Sequence, residues 1–156
     1  MHSMTALVVD DSRVARIAVM QGLRESKLAS FTFVEAPDGI EALEILANEA
    51  IDIIFLDWNL PHLDGPEVVK ELRRSRRTAS IPVVMVTSER SLGKLMQAVD
   101  DSEVDGYVCK PFTVDELVQR LTPLFEQIRS GRPRGAKKGA GAEKKGGFLR
   151  RLLGRE

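Results

Sequence analysis

Four apolar runs in this 156-residue chain break off in groups that can do chemistry. Thr5 to Val9 ends in Asp10-Asp11, Ile51 to Leu56 in Asp57, Ile81 to Val86 in Thr87-Ser88, and Gly106 to Cys109 in Lys110-Pro111. Three carboxylates brought together repel one another and raise each other's pKa. A divalent cation removes that cost, and carboxylate oxygens, a backbone carbonyl and waters are what Mg²⁺ prefers. Lys110 adds a fixed positive charge and Thr87 a hydroxyl donor. Together they describe a pocket for a tetrahedral anion placed on Asp57. One Asp after a strand is usually a cap or turn residue; four strand ends in register are much harder to reach by accident.

Convergence requires the four runs to lie side by side with their carboxyl ends on one rim. The chain supplies the elements for this. Ser12 caps a helix to about Lys27, with Val14, Ile17, Ala18, Leu23 and Leu28 at helical spacing. Phe31 to Val34 is a further strand. Pro37-Asp38-Gly39 turns into a helix to about Asn48 carrying Ile40, Leu43, Leu46 and Ala47 inward. Asp64-Gly65-Pro66 starts another, with Val68, Val69 and Leu72 inward. Arg73, Arg74, Arg76 and Arg77 trail at its end as a solvated basic terminus that suits the helix dipole. A helix from Glu89 to about Asp101 follows the fourth strand. Thr113 caps the last helix, which runs to Ile128 with a kink at Pro123 or a break after Thr122. Strand and helix alternate five times. This predicts an α/β fold: a doubly wound, five-stranded parallel sheet with right-handed crossovers and helices on both faces. Ligands bind such sheets beyond the carboxyl ends of the strands.

The net charge of zero hides a split. Residues 130–156 hold nine Lys/Arg and two Asp/Glu, net +7, while residues 1–129 hold 14 and 21, net −7. This divides the chain into a domain, 1–129, and a flexible basic tail, 130–156. The tail closes on a segment with Phe148, Leu149, Leu152 and Leu153 on one helical face and Arg150, Arg151 and Arg155 on the other. That segment suits docking on a protein groove or an anionic membrane. No run of eighteen apolar residues and no secretory signal is visible, and the lone Cys109 agrees with a reducing compartment. A cytoplasmic protein is expected, recruited to a membrane or pole by its tail.

The motifs Val-Val-Asp-Asp-Ser (8–12), Asp-Trp-Asn-Leu-Pro-His-Leu-Asp-Gly (57–65), Met-Val-Thr-Ser-Glu (85–89) and Gly-Tyr-Val-Cys-Lys-Pro-Phe (106–112) carry a family likeness. From about Thr5 to Ile128 the chain resembles the receiver domain of bacterial two-component response regulators, most closely the CheY-like, chemotaxis-type single-domain members. The resemblance implies the flavodoxin/CheY-like strand order 2-1-3-4-5. It implies that Asp57 accepts a phosphoryl group from a histidine kinase or phosphotransfer protein. Asp10, Asp11, Asp57 and the main-chain carbonyl of Asn59 would hold Mg²⁺. Lys110 and Thr87 would bind the phosphoryl oxygens, with a cis peptide bond between Lys110 and Pro111. Asn59 and Glu89 would tune dephosphorylation. Thr87 and Tyr107 would form a switch, the aromatic swinging inward, which rebuilds the face made by the helix from Glu89, the strand of Tyr107 and the last helix. A downstream protein would dock there, or a second copy in a phosphorylation-dependent dimer. The domain would catalyse only its own phosphorylation and dephosphorylation.

Some positions depart from that pattern. Glu103 stands where the family has a small residue, often Gly, so an altered helix–strand junction is expected. Trp58 is expected on the exposed rim, His62 in a solvated loop, and Cys109 as a small buried packing residue. Other phosphate chemistries fit less well. The Gly-x-x-x-x-Gly-Lys-Ser/Thr of a P-loop is absent, and Asn59 replaces the second Asp of a haloacid-dehalogenase phosphatase. No helix-turn-helix is present, so sequence-specific DNA binding is not expected. A scaffold localised by its tail and independent of phosphate is the remaining alternative.

Overall fold

The fold comes from a computed structural model that describes residues 2–88, 93 and 103–134. Five strands form one parallel sheet in the order β2-β1-β3-β4-β5. They are β1 Ser3–Val9, β2 Ser30–Ala36, β3 Ile53–Asp57, β4 Val83–Ser88 and β5 Gly106–Lys110. The helices are α1 Arg13–Ser26, α2 Gly39–Asn48, α3 Gly65–Arg74 and a C-terminal helix, Val114–Arg129. The helix expected over Glu89 to Asp101 lies outside the described residues. None of the described helices is long and apolar enough to cross a membrane.

The central strand explains the layering. All five residues of β3 are buried. Because a strand alternates its faces, Ile54 and Leu56 enter one core, with Val68, Val69, Leu72 and Met85. Ile53 and Phe55 enter the other, with Leu23, Leu117, Leu121 and Phe125. Each such side chain contributes about 1.5–3 kcal/mol when fully buried. A polar residue ends the strand where this apolar stock runs out, so Asp57 is its last residue.

Side-chain caps start the helices at the places read from the sequence. Ser12 accepts from Ala15 N–H, Asp38 from Glu41, Asp64 from Glu67 and Thr113 from Glu116. Asp64 with Glu67 and Thr113 with Glu116 make reciprocal capping boxes.

Several local expectations are corrected. Val14 and Ile17 are exposed, and α1 buries Val19, Met20, Gly22 and Leu23 instead. Ile40 is half exposed, Ala47 is exposed, and Ala42 and Leu46 carry the inner face of α2. By helical geometry Val14 and Ile17 lie on the arc away from Val19 and Leu23, and Ile40 and Ala47 away from Ala42 and Leu46; the second arc of each helix is the one in the core. The C-terminal helix runs unbroken through Pro123. Pro123 is exposed, so the bond its missing donor leaves unmade lies on the solvent side.

The basic end of α3 is not uniformly solvated. Arg74 pairs with Glu71 at the surface. The Arg73 side chain, only 12% exposed, donates to the carbonyls of Ala79, Ile81 and Glu103 and to Asp105 Oδ2. Arg77 donates to the carbonyls of Leu46 and Glu49, at the end of α2. Glu103 does not take a left-handed backbone; among described non-glycine residues only Lys27 and His62 do. Its carbonyl is instead held by the Arg73 fork, at 3.2 and 2.8 Å.

Candidate functional site

The parallel register sets Asp10, Asp57, Thr87 and Lys110 along one rim. Val9 pairs with Leu56, Asp57 with Val86, and Ser88 with Lys110. Asp10 follows β1 immediately, and its N–H donates to Ala36 O across the end of β2. Carboxylate oxygens of Asp10, Asp11 and Asp57 lie within 4.8 Å of one another. Asp10 and Asp57 are buried and Asp11 is exposed. Lys110 Nζ stands 3.0 Å from Asp10 Oδ2 and 3.4 Å from Asp57 Oδ1. The Lys110–Pro111 bond is cis.

The loop after Asp57 is braced by close approach. A Cβ on Gly65 would lie 2.6 Å from the Asp57 carbonyl oxygen, and one on Gly39 would overlap that of Leu63. Gly65 N–H also donates to Trp58 O at 2.9 Å. Trp58 is buried, contrary to expectation, and joins the core under α3. A strand flips successive side chains, so with Asp57 facing the rim the next one turns into the helix layer. Asn59 and His62 are exposed in this loop, and Asn59 lies two residues past Asp57.

Thr87 is fully buried beside Asp57's strand. Its hydroxyl donates to Ser88 O at 3.4 Å, a long bond that a better acceptor would displace. Tyr107 lies three residues before Lys110 and is buried in the core cluster with Ile54, Met85 and Val104. The Arg120 guanidinium sits 4.7 Å from the ring centroid. Cys109 is partly rather than fully buried. Glu89, Phe148, Leu149, Leu152 and Leu153 lie outside the described residues.

Crowding shows in the protonation of the rim. Burial, with Asp10 adding to it, raises the Asp57 pKa from 3.8 to about 6 against the pull of Lys110. Burial acts to lower the Lys110 pKa, but its bonds to Asp10 and Asp57 outweigh this and raise it, so the ammonium persists at neutral pH. The folded Asp57 pKa lies above its unfolded value. Its contribution to stability is therefore complete below about pH 3.8 and lost as pH rises through about 6. In EDTA at pH 7.5, Asp57→Asn is expected to gain about 1–2 kcal/mol in urea unfolding, discounting for the partly open rim. The gain should shrink toward pH 5. An Asn variant no more stable than wild type at pH 7.5 would contradict this account.

The sequence marks neither the one arginine that supports the rim nor the two that build the opposite corner. Arg16 donates to the main-chain carbonyl of Asp10, and Arg73 and Arg134 meet Asp105 at the opposite end of the sheet. No local signal separates these arginines from solvated ones.

The described geometry matches known proteins. The response regulator receiver domain family matches residues 6–122. The chain belongs to that family. Chemotaxis protein CheY-3 of Vibrio cholerae is 33% identical over 126 residues, covering 81% of this chain and 95% of the relative. Chemotaxis protein CheY of Pseudomonas aeruginosa is 34% identical over 125 residues, covering 80% and 98%. Among solved structures, chemotaxis response regulator CheY4 of Vibrio cholerae superposes with a TM-score of 0.67 at 29% identity, covering 78% of this chain and 98% of that one. Receiver domains are phosphoacceptor modules of two-component signalling and bind Mg²⁺ at an acidic pocket. In this receiver domain the acidic cluster is Asp10, Asp11 and Asp57. Its hard oxygen donors suit that ion.

Proposed function

We propose that this receiver domain takes a phosphoryl group onto Asp57 from a histidine kinase or phosphotransfer protein and signals by contact. The observation that carries the reading is the approach of Lys110 Nζ to both Asp57 and Asp10, beside three convergent carboxylates. An Asp57 oxygen attacks phosphorus while the bond to the donor imidazole nitrogen breaks, and that nitrogen keeps the electron pair. Catalysis of this transfer is mostly positioning and electrostatics. Lys110 offsets charge on the equatorial oxygens, and Thr87 donates to one of them. Asp10, Asp11, Asp57 and the Asn59 carbonyl would hold Mg²⁺, which when bound offsets the phosphoryl charge. Asn59 and Glu89 then tune how long the acyl phosphate lasts.

The output is read as a shift in the Thr87–Tyr107 pair and the face around it. The chemotaxis relatives make motility the pathway of first choice. The charge and amphipathic pattern of residues 130–156 support a docking or localising tail in a cytoplasmic protein. Incubation with acetyl phosphate and Mg²⁺ tests the reading: intact mass should show one phosphoryl group on wild type and none on Asp57→Asn. An unmodified wild type would favour a phosphate-independent scaffold.

A further inference from the structure

The Asp10 main chain and side chain are held at four points. Its N–H donates to Ala36 O at 3.1 Å. Its Oδ1 accepts from Ser12 N–H at 2.9 Å, and its Oδ2 from Lys110 Nζ at 3.0 Å. The fourth point is its carbonyl, which accepts from Arg16 Nη1 at 2.7 Å. The same guanidinium donates Nε to Glu35 Oε1 on β2 at 2.9 Å, and its side chain is 14% exposed. Arg16 thus ties α1, the end of β1 and the end of β2 together at one peptide.

That peptide joins Asp10 to Asp11. Its plane decides where the Asp11 carboxylate stands relative to Asp10 and Asp57, because peptide units are rigid. Asp11 is exposed, so packing does not hold it in place. We propose that Arg16 is a positioning residue for the cation site: by gripping the Asp10 carbonyl it sets the Asp10–Asp11 peptide so that three carboxylates converge. This rests on the metal-binding reading of the site given above.

The sign of the effect separates positioning from simple charge. A guanidinium beside a cation site repels the cation, so its removal would tighten binding if its field were all that mattered. Here Glu35, 2.9 Å away, cancels much of that field. Loss of orientation then dominates, and outer-shell partners of this kind typically change metal affinity by about 10–100-fold.

The test is Mg²⁺ titration of the full-length protein by calorimetry, with Trp58 fluorescence as a second readout. Arg16→Ala is expected to weaken Mg²⁺ by about tenfold. Arg16→Lys keeps one donor for the carbonyl and should recover part of the loss. Glu35→Gln leaves the grip on the carbonyl but uncovers the Arg16 charge, so it should weaken Mg²⁺ only about two- to threefold, and less at high salt. Thermal unfolding of each metal-free variant reports folding separately. Unchanged or tighter Mg²⁺ binding by Arg16→Ala and Arg16→Lys would overturn the inference while leaving the site intact. A wild type that binds no Mg²⁺ would overturn the site reading and this inference with it.

Discussion

Lys110→Ala is expected to slow phosphorylation of Asp57 by acetyl phosphate by about 10²–10³-fold, the usual loss for one preorganised donor. Two effects act in the same direction. Removal deletes the cation 3.4 Å from Asp57 Oδ1, which on the proposed reading would face the transferred oxygens. It also removes the charge that restrains the pKa of Asp57, which burial and Asp10 already lift to about 6. The nucleophile is then less ionised at neutral pH. Lys110→Arg keeps the charge but not the compact ammonium, and should fall between. Rates at saturating Mg²⁺ and pH 7.5, with circular dichroism to confirm folding, provide the check. A folded Lys110→Ala within about threefold of wild type would show that Lys110 does not serve the transfer.

At the other end of the sheet, Asp105→Ala is expected to destabilise the fold by about 3–5 kcal/mol, the typical cost of breaking a buried ion pair on one side. Asp105 Oδ2 accepts from Val83 N–H at 2.8 Å, Arg134 Nε at 3.0 Å and Arg73 Nη2 at 3.3 Å. Burial raises the Asp105 pKa despite both arginines. Burial, with Arg134 adding to it, lowers the Arg73 pKa to about 10, and Asp105 opposes that shift. Without the carboxylate, two guanidiniums face each other in a poorly solvated corner. Asp105→Asn should lose less, since its amide oxygen still accepts from Val83. Urea unfolding measures both variants, and Arg73→Ala combined with Asp105→Ala should cost less than the two losses added. A loss under about 1 kcal/mol for Asp105→Ala would show the cluster to be dispensable.

The contrast between these two corners shows what a sequence makes legible. At the rim, each chemical residue interrupts an apolar run, so Asp10, Asp57, Thr87 and Lys110 announce both their type and their place. Alternation then implies a parallel sheet, whereas the strand order 2-1-3-4-5 comes from the family resemblance. At the Asp105 corner, Arg73 lies in a run of arginines that reads as a solvated helix end. Two of its acceptors, Glu103 and Asp105, are 30 and 32 residues away, so only the fold reveals the cluster. Arg16 is similar: one turn into α1, it looks like any exposed helix arginine until β1 and β2 end beside it. Trp58 reads as exposed because its neighbours in sequence are rim residues, whereas its packing partners, such as Val68, arrive with α3. Gly65 opens α3 as its sequence suggests, but its close passage over the Asp57 carbonyl shows only in the fold.

The central claim is that the rim acts as one site whose nucleophile is Asp57. Borohydride reduction converts an aspartyl phosphate to homoserine, marking the modified residue. The wild-type protein should be phosphorylated with acetyl phosphate and Mg²⁺, reduced, digested and mapped by mass spectrometry. The account predicts homoserine at position 57, lost when Mg²⁺ is replaced by EDTA. Homoserine at position 10 or 11 with Asp57 unmodified would contradict it.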